Sequence, residues 1–217
     1  MDKHLPTLEL RGITKRFKHM VVFEDIDLEI LPGGSINGII GPNGAGKSML
    51  LRIICGLVKP SRGQVVVLGE QVGVDCDFPS RTGALIDIPG FLPAYSAQRN
   101  LRLLADVSGS VDQNRIAEVL SIVGLNHKNT QPVSTYSVGM RKRLGIAQAI
   151  LEQPELLLLD EPTDSIDQAG WKSVYEYLIQ LKEAGTTILL TSNNLDEITI
   201  LCDQTFLLKD RHLAPVP

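Results

Sequence analysis

The stretch Gly41–Ser48 reads GPNGAGKS and fits G-x-x-x-x-G-K-[ST], the pattern of a phosphate-binding loop. Its glycines let the backbone turn tightly, so that N–H groups point inward at phosphate oxygens. A helix that starts near Lys47 would add its positive N-terminal end. The lysine can reach the terminal phosphates, and the hydroxyl of Ser48 can bind Mg²⁺. These residues predict a site for a nucleotide and Mg²⁺, with a glycine-rich turn and an incidental lysine as the alternative.

Two carboxylates that could act on such a nucleotide are Asp160 and Glu161, which follow the apolar run Leu156–Leu159. A continuous apolar run of this kind is typical of a buried parallel strand. At the carboxyl end of that strand, Asp160 would hold Mg²⁺ through its water shell, and Glu161 would polarise an attacking water. The alternative is that both carboxylates only cap the turn at Pro162.

Three further positions are suited to contact a ligand. Asp87 lies at the end of the predicted strand Thr82–Ile88, where α/β proteins place their ligand chemistry. Ser137 is a good N-cap, and Gly139 keeps the first helical turn free of a side chain, so this helix start can bind an anion. An ordinary capped helix with a basic outer face is the alternative. Phe17 could stack on a purine base, or it could be a core residue or a surface ring without function.

The elements that must position these residues alternate between strands and helices, which predicts an α/β fold. Apolar alternation and short apolar runs predict strands at Leu8–Phe17, Val21–Ile30, Ser35–Ile40, within Lys59–Gly73, and at Thr82–Ile88, Leu156–Leu159, Thr186–Thr191 and Gln204–Lys209. Spacings near 3.6 residues predict helices at Met49–Leu57, Gln98–Val107, Val111–Val123, Ser137–Ile150, Gln168–Ala184 and Leu195–Cys202. The helices between about residues 91 and 150 form an insertion between strands, and no element is predicted for Arg211–Pro217.

Composition excludes several classes of protein. The 217 residues suffice for one large domain, or for a domain with an inserted subdomain. A net charge of −4 argues against a nucleic acid partner, which usually requires a basic stripe. Cys55, Cys76 and Cys202 lie far apart without a C-x-x-C pair, which fits a reducing compartment. No run approaches the roughly 18 apolar residues of a membrane span. If the protein acts at a membrane, we therefore expect another chain to cross it.

In this order the segments resemble an ATP-binding cassette (ABC) nucleotide-binding domain over nearly the whole chain. GPNGAGKS is similar to the Walker A motif, YSVGM to the family signature, and LLLLDEPT to the Walker B motif with its glutamate. Thr163–Asp167 stands in the place of the D-loop, and Phe17 in the place of the aromatic residue of the A-loop. The resemblance implies that ATP is bound by Phe17, Gly41, Pro42, Asn43, Gly44, Ala45, Gly46, Lys47, Ser48, Met49, Ser137, Gly139 and Asp167.

The resemblance also implies an architecture and a mechanism. Residues 1–217 would form one P-loop NTPase core with an antiparallel β subdomain and an inserted α-helical subdomain, the ABC ATPase fold. A homodimer or paired cassette would close head to tail across ATP, so that Ser137 and Gly139 act on the partner's nucleotide. Mg²⁺ would be held by Ser48, Asp160 and Asp87. The resemblance further implies a separate transmembrane permease and a cytoplasmic protein, peripheral on the inner face of the cell membrane.

A narrower resemblance is carried by Gly83–Leu101 (GALIDIPGFLPAYSAQRNL) together with YSVGMRKRLGIA. These segments are similar to the branch of ABC ATPases that serves bacitracin-resistance and lantibiotic-immunity exporters. That branch has an acidic residue in place of the Q-loop glutamine, here Asp87, and Met140 in place of the signature glutamine agrees with it. A carboxylate accepts hydrogen bonds but cannot donate them, so Asp87 would make the surroundings of the γ-phosphate more negative. The implied function is energy coupling for an exporter of peptide or drug-like compounds.

The chain departs from the family at the H-loop, where the segment TSNNLDE has Asn193 in place of the expected histidine. An asparagine amide can donate a hydrogen bond to a phosphate oxygen, but it carries no charge and shuttles no proton. The predicted catalytic residues are Glu161, Asn193 and Asp87. We therefore predict that the chain binds Mg-ATP but hydrolyses it about 10²-fold more slowly than it would with a histidine at position 193. Two other functions remain open: a non-hydrolysing nucleotide switch, and a soluble ABC protein acting in translation or DNA repair.

Overall fold

The computed structural model describes residues 5–87, 90–109, 111–164, 166 and 168–216. In chain order its strands and helices are β1 (Leu8–Phe17), β2 (Met20–Ile30), β3 (Ser35–Ile40), α1 (Lys47–Ile54), β4 (Arg62–Val67), β5 (Glu70–Gln71), β6 (Thr82–Leu85), α2 (Ala97–Ser108), α3 (Gln113–Ile122), α4 (Val138–Ala149), β7 (Leu156–Asp160), α5 (Gln168–Glu183), β8 (Thr187–Ser192), α6 (Leu195–Leu201), β9 (Gln204–Lys209) and β10 (His212–Val216). The α/β fold class predicted from the sequence is therefore confirmed.

Two sheets organise the chain. The larger has the strand order β10-β9-β3-β8-β7-β6, and its neighbours from β9 to β6 are all parallel, whereas β10 returns antiparallel to β9. The smaller sheet is antiparallel, in the order β2-β1-β4-β5. Since parallel strands end at the same edge, the residues after β3, β6, β7 and β8 are brought to one side of the larger sheet.

The larger sheet is buried on both faces, which explains its continuous apolar runs. In β7, Leu157 and Leu159 face a core under helices α2 to α5, while Leu156 and Leu158 face a second core shared with α1 and the smaller sheet. All four leucines are fully buried. At about 1.5–3 kcal/mol for each buried leucine, this packing fixes the position of the strand that ends at Asp160.

The helices between β6 and β7 begin with side-chain caps. Ser96, Asp112 and Ser137 each accept a hydrogen bond from the backbone N–H three residues further along, at the starts of α2, α3 and α4. The longest helix, α5, has 16 residues. Over residues 5–216, apart from the few positions left undescribed, none of the helices combines the length and apolar character needed to cross a bilayer.

Most elements lie within a few residues of their predicted bounds, and the differences that bear on the site are at α1, β6 and β10. Helix α1 starts at Lys47, the start expected from the glycine loop, because the left-handed Gly46 forms its N-cap, and it ends at Ile54 rather than Leu57. Strand β6 ends at Leu85, since the backbone at Asp87 has φ of +61°, outside β geometry; Ile88, the last residue of the predicted strand, lies outside the described residues. Strand β10 was not predicted, because it gains its pairing only from β9.

Candidate functional site

The loop between β3 and α1 is shaped by glycines. Gly44 and Gly46 have φ of +81° and +105°, in the left-handed region that favours glycine. A Cβ added at Gly41 would lie 2.2 Å from the carbonyl oxygen of Leu208, so no larger residue fits there without a backbone shift. The loop is thus held in a tight turn with its backbone accessible, the arrangement needed for close approach of phosphate groups.

Helix α1 differs from α2, α3 and α4 at its start. Its N-cap, Gly46, has no side chain, and no side-chain cap is made to it within the described residues. The first N–H groups of a helix lack intrahelical partners, and the first turn of α1 contains no acidic residue. This helix start is therefore left free for an external anion, which fits the predicted phosphate site.

Asn193, directly after β8, joins three residues from distant parts of the chain. Its Oδ1 accepts a hydrogen bond from the Lys47 ammonium at 2.7 Å. Its Nδ2 donates to Glu161 Oε1 at 2.7 Å and to Asn43 Oδ1 at 3.0 Å. An ammonium can only donate, so it fixes which end of the amide faces Lys47. We refer to Lys47, Asn193, Glu161 and Asn43 as the amide cluster.

The amide cluster satisfies a buried charge. The Lys47 side chain is only 5 % exposed. Its ammonium donates to the carbonyl oxygen of Gly41 at 2.9 Å and lies 3.5 Å from Glu161 Oε1. A buried charge without such partners would be strongly destabilising. The lysine is therefore held in place by the same residues that the sequence assigns to catalysis.

Thr191 holds the carboxylate of Asp160 and the backbone of Glu161 at the end of β7. Its hydroxyl donates to Asp160 Oδ1 at 2.6 Å, and the backbone N–H of Glu161 donates to the Thr191 hydroxyl at 3.0 Å and carbonyl at 3.1 Å. Glu161 has φ of +45°, an unusual conformation for a residue with a side chain. Such backbone strain persists only where the surroundings fix it, and it is common at functional sites.

The candidate metal ligands, Asp160 and Ser48, suit Mg²⁺ better than a metal ion that is coordinated only by protein side chains. Asp160 is 9 % exposed and Ser48 lies in the first turn of α1. No cluster of three or more His, Cys, Asp or Glu side chains occurs in the described part of the chain. Mg²⁺ needs few protein ligands, because it binds through one or two carboxylates together with substrate phosphates.

Asp87, the third metal ligand expected from the sequence, is already paired. Its Oδ2 accepts a hydrogen bond at 2.5 Å from Nη2 of Arg52, in the last turn of α1. A metal ion would have to compete with a guanidinium for this carboxylate. The negative charge expected beside the γ-phosphate is therefore balanced by a neighbour that the sequence reasoning did not consider.

The remaining predicted residues lie outside the amide cluster. Ser137 is exposed at the start of α4, where its hydroxyl accepts a hydrogen bond from Met140 N–H at 3.1 Å, with Gly139 in the same first turn. Phe17, at the end of β1, is 44 % exposed, and the Lys15 ammonium lies 4.7 Å from its ring centroid. Asp167 lies outside the described residues. Within those residues, no hydrogen bond joins Ser137 to the amide cluster.

Two residues of the site were missed from the sequence. Thr191 is the last residue of a predicted strand, so the rule that placed Asp160 at a strand end would also have indicated this hydroxyl. Arg52 follows Ser48 by four residues, and a helix that starts near Lys47 would place both side chains on one face. Asn43 was counted as a nucleotide-binding residue, but its contact with Asn193, 150 positions further along the chain, was not foreseen.

The family model described as ABC transporter matches residues 23–164. The chain belongs to the ABC transporter family. An uncharacterized ABC transporter ATP-binding protein of Bacillus subtilis, YybJ, is 41 % identical over 90 % of this chain and 89 % of its own length. The bacitracin transport ATP-binding protein BcrA of Bacillus licheniformis is 37 % identical over 95 % of this chain and 68 % of its own length. The ABC resemblance drawn from the motifs, including its bacitracin branch, is thereby confirmed.

Solved ABC cassettes share the fold of this ABC protein. An ATP-binding subunit of an ABC transporter is 25 % identical and superposes with a TM-score of 0.87, covering 97 % of this chain and 89 % of that one. A cassette solved as a dimer in a post-hydrolysis state with ADP and Pi is 22 % identical, with a TM-score of 0.83, and covers 97 % of this chain and 99 % of that one. The ABC ATPase fold expected from the sequence is confirmed.

Proposed function

We propose that this ABC protein binds and hydrolyses Mg-ATP as the energy-coupling subunit of an exporter. The observation that supports hydrolysis most directly is the amide cluster, in which one side chain lies 2.7 Å from both the phosphate-loop lysine and the carboxylate of Glu161. A cation for the terminal phosphates and a base for water thus lie side by side. This is the pair of groups that phosphoryl transfer to water requires.

Binding of ATP begins at the uncapped start of α1, whose N–H groups receive the phosphates. Lys47 exchanges its contacts with Asn193 and Glu161 for phosphate oxygens, which releases Glu161 to contact water. Ser48 and Asp160 would hold Mg²⁺, which would supply positive charge to the phosphate oxygens. Met49 and the loop residues from Gly41 onward complete the phosphate site, while Phe17 stacks on the adenine ring.

Hydrolysis depends on Glu161, which accepts a proton from the attacking water, and on Asn193, which orients this carboxylate through a 2.7 Å hydrogen bond. The second N–H of the amide, which donates to Asn43 Oδ1 at 3.0 Å, can turn to the γ-phosphate instead. It contributes no charge as the phosphate oxygens become more negative, so turnover should be slower by about 10²-fold than with a charged donor. Asp87 contributes only when its ion pair with Arg52 opens.

The complete site requires a second cassette. At the start of α4, Ser137 is exposed and Gly139 is half-buried, and within the described residues neither makes a hydrogen bond to the amide cluster of its own chain. Head-to-tail pairing of two cassettes across ATP would place this helix start against the γ-phosphate, where its dipole favours negative charge. Asp167 would lie at the same junction. Either two copies of this chain or this chain and a related cassette could form the pair.

An exporter is favoured by the relatives. BcrA of Bacillus licheniformis is described as a bacitracin transport ATP-binding protein, and SrtF of Streptococcus pyogenes, 33 % identical, as a lantibiotic transport ATP-binding protein. Both names refer to peptide antibiotics, so we assign this chain to export of peptide or drug-like compounds. The permease is a separate membrane chain, and this subunit is cytoplasmic and peripheral on the inner face of the membrane.

Two experiments test this function. Purified protein should hydrolyse ATP only with Mg²⁺, and Glu161→Gln should abolish turnover while retaining ATP binding, since it keeps the shape of the carboxylate but not its basicity. Affinity purification from membranes should recover a polytopic partner with wild-type protein. Loss of ATP binding in Glu161→Gln, or turnover equal to wild type, would contradict the role given to Glu161. Recovery of ribosomal or DNA-repair proteins alone would favour the soluble alternative.

The second candidate is a nucleotide switch that binds ATP and scarcely hydrolyses it. It is favoured by one observation, the uncharged Asn193 at the centre of the amide cluster. A single-turnover measurement separates the two functions, because a switch would retain ATP over many cycles of partner binding, whereas an energy-coupling subunit releases ADP in each cycle.

A further inference from the structure

An ion pair joins the phosphate-loop helix to the end of β6. Nη2 of Arg52 donates to Oδ2 of Asp87 at 2.5 Å. On α1, Arg52 follows Ser48 by four residues, so the two side chains lie on one face with their Cβ atoms about 5–6 Å apart. Helical side chains also lean toward the N-terminus, which directs Arg52 toward Ser48. The ion pair therefore holds the carboxylate of Asp87 on the face of α1 that carries Ser48, the residue proposed to bind Mg²⁺.

The backbone of Asp87 shows that this placement is held by its surroundings. Leu85, at the end of β6, pairs with Leu159, the residue before Asp160. Asp87 thus emerges at the same sheet edge as the carboxylate assigned to Mg²⁺. Its φ of +61° is strained for a residue other than glycine. Such a conformation persists where the surrounding structure determines it, and here the pairing of β6 with β7 fixes the chain up to Leu85.

The pair is accessible enough to be exchanged. The Asp87 and Arg52 side chains are 61 % and 31 % exposed, and ion pairs exposed to this degree contribute little to stability. Mg²⁺ is a hard doubly charged cation that prefers oxygen ligands, so it can compete with one guanidinium for the carboxylate.

We propose that Arg52 is a positioning residue for the nucleotide site and acts through Asp87, for which Arg52 and Mg²⁺ compete. Without metal, Arg52 neutralises Asp87 and keeps its charge from repelling the phosphates of ATP. With metal bound, Asp87 moves from Arg52 toward the ion. The inference rests on the proposed function, since it assigns the neighbouring site to Mg-ATP.

The test is a double-mutant cycle read as nucleotide affinity, with a fluorescent ATP analogue titrated in EDTA and again in Mg²⁺. Arg52→Gln should leave Asp87 uncompensated and weaken metal-free binding by up to about fivefold, equal to about 1 kcal/mol at 1.4 kcal/mol per tenfold. The same variant should lose much less affinity in Mg²⁺. In an Asp87→Asn background, Arg52→Gln should change neither affinity by more than about twofold, because the charge through which it acts is absent.

Matched controls come from α2, where Arg102 and Asp106 form an exposed ion pair at 2.9 Å. Arg102→Gln makes the same change in net charge and should leave both affinities unchanged, and Arg52→Lys should behave as wild type because it retains the charge. Melting temperatures of the ligand-free variants report any structural loss separately.

Each outcome decides a different point. An Arg52→Gln effect of full size in the Asp87→Asn background would overturn the inference, and so would an equal loss with and without Mg²⁺. Either result leaves the proposed function intact, because binding of nucleotide by wild-type protein does not depend on it. Wild-type protein that binds no nucleotide would refute both.

Discussion

Replacing Asn193 by histidine tests whether this amide limits turnover. The amide offers an acceptor to Lys47 and two N–H donors to Glu161 and Asn43. A neutral imidazole has one donor and one acceptor, so it can keep at most two of these three contacts. We expect the free energy of unfolding of the ligand-free protein to fall by about 1 kcal/mol for the contact that is lost.

With ATP bound, the same substitution should act in the opposite direction. A protonated imidazole gives the γ-phosphate a charge-assisted hydrogen bond, and electrostatic donors at comparable sites are worth about 10²-fold in rate. We expect Asn193→His to raise kcat by about 10- to 100-fold. KM should change less, because the new interaction strengthens as charge develops on the phosphate in the transition state.

The dependence on pH distinguishes this effect from a general change in structure. Asparagine does not ionise, whereas histidine titrates near pH 6.5. The ratio of variant to wild-type turnover should therefore rise as the pH falls toward about 6. Asn193→Ala serves as the control, since it removes all three contacts and adds no charge, and it should not be faster than wild type. A histidine variant as slow as wild type at every pH would refute the reasoning.

Three further predictions follow from the geometry. Thr191→Val removes the hydroxyl that lies 2.6 Å from the Asp160 carboxylate. It should lower the free energy of unfolding by about 1–3 kcal/mol and the apparent Mg²⁺ affinity by at least about tenfold. Denaturant titration measures the first effect and the Mg²⁺ dependence of turnover the second, with Thr191→Ser as the control. In Gly41→Ala the added Cβ would lie 2.2 Å from a carbonyl oxygen, so this variant should lose ATP binding and melt well below wild type. In Gly44→Ala the added Cβ meets nothing within 4 Å, so the free energy of unfolding should fall by only about 1–2 kcal/mol for its left-handed backbone. Burial raises the pKa of the Cys55 thiol to about 12, so iodoacetamide at about pH 8 should leave it unmodified in folded protein, as intact-mass spectrometry would show.

The sequence predicted the elements whose pattern is local. Four successive leucines predict strand β7, and the structure buries them alternately in two cores. Strand β10 gives no such signal, because it is an edge strand with Pro215 in it and takes its conformation from pairing with β9. The sequence pattern also did not predict the left-handed backbone at Asp87, because the apolar residues before it favour a longer strand.

The candidate site was predictable as a set of residues but not as a set of contacts. Asn193 was recognised through the family resemblance, because it stands where the H-loop histidine is expected after the strand Thr186–Thr191. Its hydrogen bond to Lys47 joins residues 146 positions apart, and only the parallel packing of β3 beside β8 creates it. The ion pair of Arg52 with Asp87 likewise spans 35 positions. Contacts of this range depend on strand order, which no local pattern specifies.

The missing side-chain cap at the start of α1 makes the nucleotide a structural component of the protein. Until phosphate arrives, the first turn of this helix lacks the partner that serine and aspartate side chains supply to α2, α3 and α4. A ligand that binds only the folded chain adds about 2.7 kcal/mol to its stability at one hundred times Kd. The resistance of this subunit to unfolding and proteolysis should therefore rise and fall with the ATP concentration in the cell. When ATP is scarce, a larger fraction of the subunit should be degraded.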